Sequence, residues 1–153
     1  GNVGTAPANG SALCGDDGCV YTCNEGYEPD GNGGCVMPPV DCADATLSGE
    51  DGTIFCVDDE LKVYVNGELR LQHSGTAVCY HSPVSIGPVA DGDQIRVVAN
   101  NSDYTCGDVS ITPFYLTCTA SGVEQALDPV GYGTTEDPGC GAVFYDRTFT
   151  AAL

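Results

Sequence analysis

Two acidic pairs are the residues in this chain whose type and spacing could do chemistry. Asp58-Asp59 stands immediately before an alternating run, and Asp91 and Asp93 flank Gly92 in a turn. Calcium takes six to eight hard oxygen ligands, which carboxylates from two such turns can supply. The pattern predicts a calcium site built from Asp58, Asp59, Asp91 and Asp93. The competing reading is that these acids flank strands as solvated protection of a sheet edge. Glu28-x-Asp30-x-Asn32-Gly33 has the opening spacing of an EF-hand loop, but Pro39 stands where the closing acid belongs. A polar turn between cysteines is the preferred reading there. Neither His73 nor His81 lies in a nucleophile-elbow or metal-helix context. Carboxylates are abundant, but abundance does not make a glycosidase pair. The chain reads as a protein that is not an enzyme and has no cofactor beyond calcium.

Cysteine chemistry is the second signal. The chain carries ten: Cys14, Cys19, Cys23, Cys35, Cys42, Cys56, Cys79, Cys106, Cys118 and Cys140. Zinc sites want Cys-x-x-Cys or Cys/His spacing, and Cys14-x4-Cys19-x3-Cys23 does not supply it. All ten are expected to be disulfide-bonded in an oxidising compartment. About 945 pairings are possible. Proximity in sequence favours Cys14–Cys23, Cys19–Cys35, Cys79–Cys106 and Cys118–Cys140. Five cysteines precede residue 50 and five follow, so an odd number of bridges should cross the domain boundary; Cys42–Cys56 is the expected one. Asn9-Gly10-Ser11 and Asn100-Asn101-Ser102 are N-glycosylation acceptor patterns, which predicts glycans on Asn9 and Asn100.

Composition narrows the partners. Against 22 Asp+Glu there are 4 Lys+Arg, a formal net charge of -18. That surface repels nucleic acid and attracts cations; it also keeps a secreted protein soluble. No apolar run approaches the ~20 residues of a membrane helix, so no membrane insertion is expected. With no signal peptide ahead of Gly1, the chain reads as a mature, extracellular form.

The element that organises the rest is Val57 to Gln72. Leu61, Val63 and Val65 alternate with polar residues, Asn66-Gly67 follows, and the alternation resumes. That is a hairpin with a type I′ turn. Further strands are expected over 53–57, 76–80, 84–88, 94–100, 109–119 (at an edge or bulged at Pro113), 123–127 and 142–153. Strands at this spacing with Gly/Asp/Asn turns predict an all-β fold, an antiparallel Ig-like or jelly-roll-type β-sandwich. Three segments follow: an N-terminal arm over 1–13, a disulfide-rich knot over 14–42, and the sandwich over 43–153. The arm's small side chains would let its backbone lie against a sheet edge of another subunit. Tyr64, Tyr80, Tyr104, Tyr115, Tyr132 and Tyr145 could form a sugar platform, serve as half-buried strand residues, or lie at an interface.

Three resemblances sharpen this. CVYTCNEGYEPDGNGGC (residues 19–35) resembles the Y-x-C-x-x-G-Y core of sushi and EGF-like modules, without their tryptophan. VDDELKVYVNGE, PVSIGPVADGDQIRVVANN and FYDRTFTAAL together resemble a secreted bacterial Ig-like β-sandwich domain found in subunits of extracellular, pilus-like filaments. In those, a strand of one subunit can complete a sheet of another. Asp58-Asp59 resembles the calcium-holding acidic pair of PA14-like adhesin lectins. These resemblances imply an extracellular structural subunit that self-assembles into a filament, with itself as partner. The alternative is a calcium-dependent carbohydrate-binding or adhesin module, with glycans as partners.

Overall fold

The computed structural model describes residues 6–38, 41–102 and 106–153. Every strand pairing in it is antiparallel. The chain forms two compact units, Gly1–Pro39 and Val40–Leu153.

The N-terminal unit holds two hairpins: β1 (Gly10–Gly15) with β2 (Gly18–Cys23), and β3 (Glu28–Pro29) with β4 (Cys35–Val36). None of its described residues is buried. Cys14–Cys19 closes the first hairpin and Cys23–Cys35 joins the two. Asp30 Oδ1 accepts the Asn32 and Gly34 amides at 2.7 and 2.9 Å, so the EF-hand-like spacing is a polar turn. Residues 10–13 of the expected arm are therefore a strand of this unit rather than a free arm; residues 1–5 lie outside the described residues.

The larger unit is a two-layer sandwich. Its strands are β5 (Asp41–Ser48), β6 (Phe55–Asp58), β7 (Glu60–Val65), β8 (Glu68–His73), β9 (Val78–Tyr80), β10 (Val84–Ala90), β11 (Gln94–Asn100), β12 (Val109–Ile111), β13 (Phe114–Cys118), β14 (Glu124–Asp128), β15 (Tyr132–Thr134) and β16 (Val143–Thr150). One layer has the order β10-β5-β13-β14. The other consists of two ladders, β16-β11-β7-β8 and β15-β12-β6-β9. The ladders correspond strand for strand: β6 runs into β7, β8 into β9, β11 into β12 and β15 into β16. The second layer is thus one four-stranded sheet interrupted along a transverse seam. One apolar cluster, with Leu47, Phe114 and Leu116 from the first layer and Phe55, Leu61, Val63 and Val97 from the second, fills the space between. Phe114 lies at its centre, with ring contacts to Phe55, Tyr145 and Phe149.

The organising hairpin is β7–β8. Asn66 and Gly67 have φ of 49° and 83°, the left-handed pair a type I′ turn needs. Leu61, Val63 and Val65 are buried as their alternation requires. Pro113 does more than bulge a strand: it divides 109–119 into β12 and β13, which belong to different layers. A proline donates no ladder hydrogen bond, and here the chain uses that gap to cross over.

The open side between β14 and β16 is bridged by two side chains: Gln125, which donates to the Thr150 carbonyl at 2.9 Å and accepts the Ala152 amide at 2.8 Å, and a buried carboxylate. Asp128, 4% exposed, accepts the Tyr145 hydroxyl at 2.7 Å, Arg147 Nη1 at 3.0 Å, and the Val130 and Gly131 amides at 3.1 and 2.9 Å. Gly131 has φ +72°, and a Cβ there would collide with the Ile111 carbonyl, so the turn that presents these amides requires glycine.

All ten cysteines are paired, but every expected pairing is different. The bridges are Cys14–Cys19, Cys23–Cys35, Cys42–Cys118, Cys56–Cys79 and Cys106–Cys140. The parity argument failed because the boundary falls after Pro39, which gives Cys42 to the sandwich. The units then hold four and six cysteines, and no bridge crosses between them. Cys42, the second residue of β5, pairs with Cys118 on the neighbouring β13, while Cys56 and Cys79 are direct cross-strand partners.

Candidate functional site

The seam is where the polar chemistry collects. Along β6–β7 the odd-numbered residues Phe55, Val57, Leu61, Val63 and Val65 are all buried, and Asp59 takes the intervening place in that row at 2% exposure. On β11 the row Ile95, Val97, Ala99 continues into Asn101, which is fully buried, as is Ser102. The last ladder pair is Asn100 with Glu60, so Asn101 and Asp59 are one step beyond it on facing chains. The Ser102 amide donates to Asp59 Oδ2 at 3.0 Å. Asn101 Nδ2 donates to Asp137 Oδ1 at 3.1 Å and to the Gly139 carbonyl at 3.2 Å. Its Oδ1 is buried with no hydrogen-bond partner among the described residues. Cys106–Cys140 ties together the two connections that cross the seam.

An open groove of about 680 Å³ lies against the seam. Its floor spans β6, β12 and β15, where Ser110 stands opposite Asp58 on one side and Gly133 on the other. Asp108, Thr134, Thr135 and Glu136 line its walls. The Asp58 carboxyl is pushed up to about 6 by its hydrogen bond with the Asp59 carboxyl, by burial, and by the negative charges of Asp59 and Asp108. Asp58 therefore retains a proton in mildly acidic solution, and the groove presents carboxyl and hydroxyl oxygens. Those groups suit hydrogen bonding to a polyol and attraction of cations.

The structure does not bring the four expected calcium ligands together. Asp58 and Asp59 lie at the Glu60 end of β7, whereas Asp91 and Asp93 lie in the turn beside its Val65 end. Six residues of extended chain separate them by roughly 20 Å. Asp93 accepts the Asn66 side chain and the Ala90 amide, each at 2.8 Å; the Ala90 bond first, then Asn66, holds its carboxyl below the usual range. Asp91 accepts the Leu153 amide at 3.0 Å. These two acids fasten the β10–β11 turn to the hairpin tip and to the C-terminal residues. No cluster of three or more His, Cys, Asp or Glu suited to a metal occurs among the described residues.

The remaining expected sites are dispersed as well. Asn9 is exposed with φ 59° just before β1. Asn100 is half-buried, with its amide donating to Glu60 Oε2, and the Ser102 of its acceptor pattern is buried. His73 Nε2 lies 2.7 Å from the Thr76 carbonyl. The tyrosines make no common platform: Tyr145 is buried against Phe114, Tyr80 stacks on Phe55, Tyr132 on Phe144, and Tyr64 lies under Arg96. Tyr104 lies outside the described residues.

Sequence reasoning missed Asp108, Ser110, Thr134, Glu136, Asn101 and Asp128. A signal existed for some. Period-two alternation assigns Asp59 and Asn101 to inward positions, and buried polar groups at such positions need partners. Asp128-Pro129-Val130-Gly131 is an aspartate-initiated turn sequence. Nothing local marks Glu136 or Thr134, which reach the groove through pairing with a strand far away in sequence. Among the described residues no helix is long and apolar enough to cross a membrane. Comparison with family models, curated proteins and solved structures finds no match to this chain.

Proposed function

We propose that this chain is an extracellular structural subunit that self-assembles into a filament or surface appendage by strand addition. The observation that carries the reading is β16. It is the longest edge strand, eight residues without a proline, outermost in its ladder. The edge at β10 is blunted by two register shifts, by Pro88 and by Gly87 at φ 77°. Edges at β9 and β15 are three residues each. An edge strand presents free N–H and C=O groups to a strand of another copy. Five disulfides suit an oxidising, extracellular setting. The test is negative-stain microscopy combined with a proline scan along β16 at positions outside the Asp128–Arg147 and Arg96–Asp146 pairs, such as Thr148. Where the N–H faces outward, proline should abolish filaments and leave the fold intact. Wild-type protein that never forms filaments refutes the reading.

A second reading, a calcium-dependent carbohydrate-binding module, is favoured by the seam groove with its carboxyl and hydroxyl lining. Calorimetric titration of polysaccharides with and without calcium tests it. Heat of binding that depends on calcium and disappears in Ser110→Val would support it.

A further inference from the structure

The distribution of charge and exposed apolar side chains gives the self-assembly reading a specific contact. Leu13 and Val20 are direct cross-strand partners on the β1–β2 hairpin, so they share one face, and they are 80% and 65% exposed. Asp16 and Asp17 form the tip beside them. The N-terminal unit carries five carboxylates (Asp16, Asp17, Glu25, Glu28, Asp30) and no Lys or Arg.

All four basic residues of the chain stand instead in strands of one ladder of the sandwich; Lys62 on β7 and Arg96 on β11 belong to its outer face, whereas Arg70 on β8 reaches the Pro88 carbonyl of β10 and Arg147 on β16 pairs with Asp128. On the ladder's outer face Tyr64 is the cross-strand partner of both Leu69 and Arg96. Arg96 is held upright by Asp146 through two hydrogen bonds of 2.8 and 2.6 Å and packs over the Tyr64 ring. Lys62 is the one base without an ion pair among the described residues. Tyrosine and arginine are enriched in interface cores, and Leu69, 44% exposed, adds apolar surface beside them.

We infer that the β1–β2 hairpin of one copy docks on the outer face of the β16-β11-β7-β8 ladder of a second copy. Leu13 and Val20 would cover Tyr64 and Leu69, and Asp16 and Asp17 would meet Lys62 and Arg96. The occupant is a second copy because this chain carries both complementary halves. With a net charge of -18, most approaches of two copies meet like charge, whereas the acidic hairpin tip finds Lys62, unpaired among the described residues, on this face, and that pairing selects the orientation. A hairpin-to-sheet contact joins different patches and propagates head to tail, which builds an open chain of subunits. The inference rests on the self-assembly reading and adds to the β16 edge a contact that fixes orientation.

Sedimentation velocity and electron microscopy at ~150 mM salt test it, an ionic strength that screens long-range repulsion but not contact pairs. Leu13→Asp/Val20→Asp removes the hairpin half, and Lys62→Glu removes the sheet half at a surface position. Each variant alone should sediment as a 15.7 kDa monomer. Mixed, they should form a 1:1 dimer that grows no further, since one intact hairpin and one intact ladder remain. Asp16→Lys/Asp17→Lys combined with Lys62→Glu should restore assembly. Circular dichroism matching wild type certifies the fold of each variant. Wild-type filaments that persist unchanged in both single-half variants overturn this contact while leaving edge addition through β16 intact. A wild-type protein that stays monomeric overturns both.

Discussion

The two units reach an ordered state by different means. The sandwich buries a continuous cluster of aliphatic and aromatic side chains between two layers. The N-terminal unit buries none of its described residues and is held by Cys14–Cys19 and Cys23–Cys35. A segment below ~40 residues cannot collect enough apolar surface to offset its chain entropy, so covalent closure substitutes for a core. The consequence is that a unit with no core has its apolar side chains, Leu13 and Val20 among them, exposed on its surface.

That contrast can be broken experimentally. Replacing Cys14, Cys19, Cys23 and Cys35 by alanine should remove all amide-exchange protection from residues 6–38, while the core strands β5, β7, β11 and β13 keep theirs. In the sandwich, Cys42→Ala/Cys118→Ala opens the longest loop, a separation of 76 residues. The chain-entropy estimate for that closure is about 4.5 kcal/mol, against about 2 kcal/mol for a loop as short as Cys14–Cys19. Urea denaturation followed by near-ultraviolet circular dichroism measures the sandwich loss. Surviving protection in the four-alanine variant would mean that the small unit has a source of stability besides its bridges.

The closing carboxylate sharpens the comparison, since its counterpart in the small unit, Asp30, is exposed and accepts only the Asn32 and Gly34 amides. Asp128→Ala leaves the Tyr145 hydroxyl, Arg147 and two turn amides without their acceptor, at a cost of about 3 kcal/mol. Burial alone would raise the Asp128 carboxyl, but the bonds from Tyr145, Gly131 and Val130 and the Arg147 charge outweigh it and hold it below its ordinary 3.8. A depressed carboxylate contributes stability above its unfolded value and loses it as pH falls through the folded one. Wild-type stability should therefore decline below about pH 4, and Asp128→Ala should flatten that acid limb when melts are compared from pH 2.5 to 6.

How much of this was legible before the structure follows from range in sequence. The β7–β8 hairpin was legible because its turn chemistry and alternation lie within sixteen residues, and β11 matched its expected span of 94–100. Strand β5 was not: DCADATLS carries two acids and small residues and follows Pro38-Pro39, so it reads as a linker, yet it is central in its layer. Its burial comes from partners such as Leu116 and Val84, which no local window contains. Cysteine pairing failed for the same reason, since Cys42 finds its partner on β13. Half of the seam was accessible: Asp58-Asp59 stood out by type, but Asp108, Ser110, Thr134 and Glu136 join it only through the β6-β12-β15 ladder.

The smallest expected effect is at the seam itself, and its sign is opposite to that of Asp128. The Asp58 carboxyl is raised to about 6, first by the Asp59 hydrogen bond, then by burial and by the charges of Asp59 and Asp108. The folded state therefore holds a proton that the unfolded chain releases near 3.8. Stability from that proton is fully present below 3.8 and is lost as pH rises through about 6. Asp58→Asn keeps a neutral hydrogen-bonding side chain at every pH. It should match wild type near pH 4 and exceed it at pH 8 by about 1 kcal/mol, since solvent at the open groove screens much of the repulsion. Thermal melts of both proteins between pH 4 and 8 read the divergence. Parallel curves would mean that the Asp58 carboxyl does not hold that proton. Adding calcium at pH 8 extends the measurement: a rise in wild-type stability that Asp58→Asn lacks would transfer the seam from a proton-holding site to a cation-binding one, and would favour the carbohydrate-module reading over the filament.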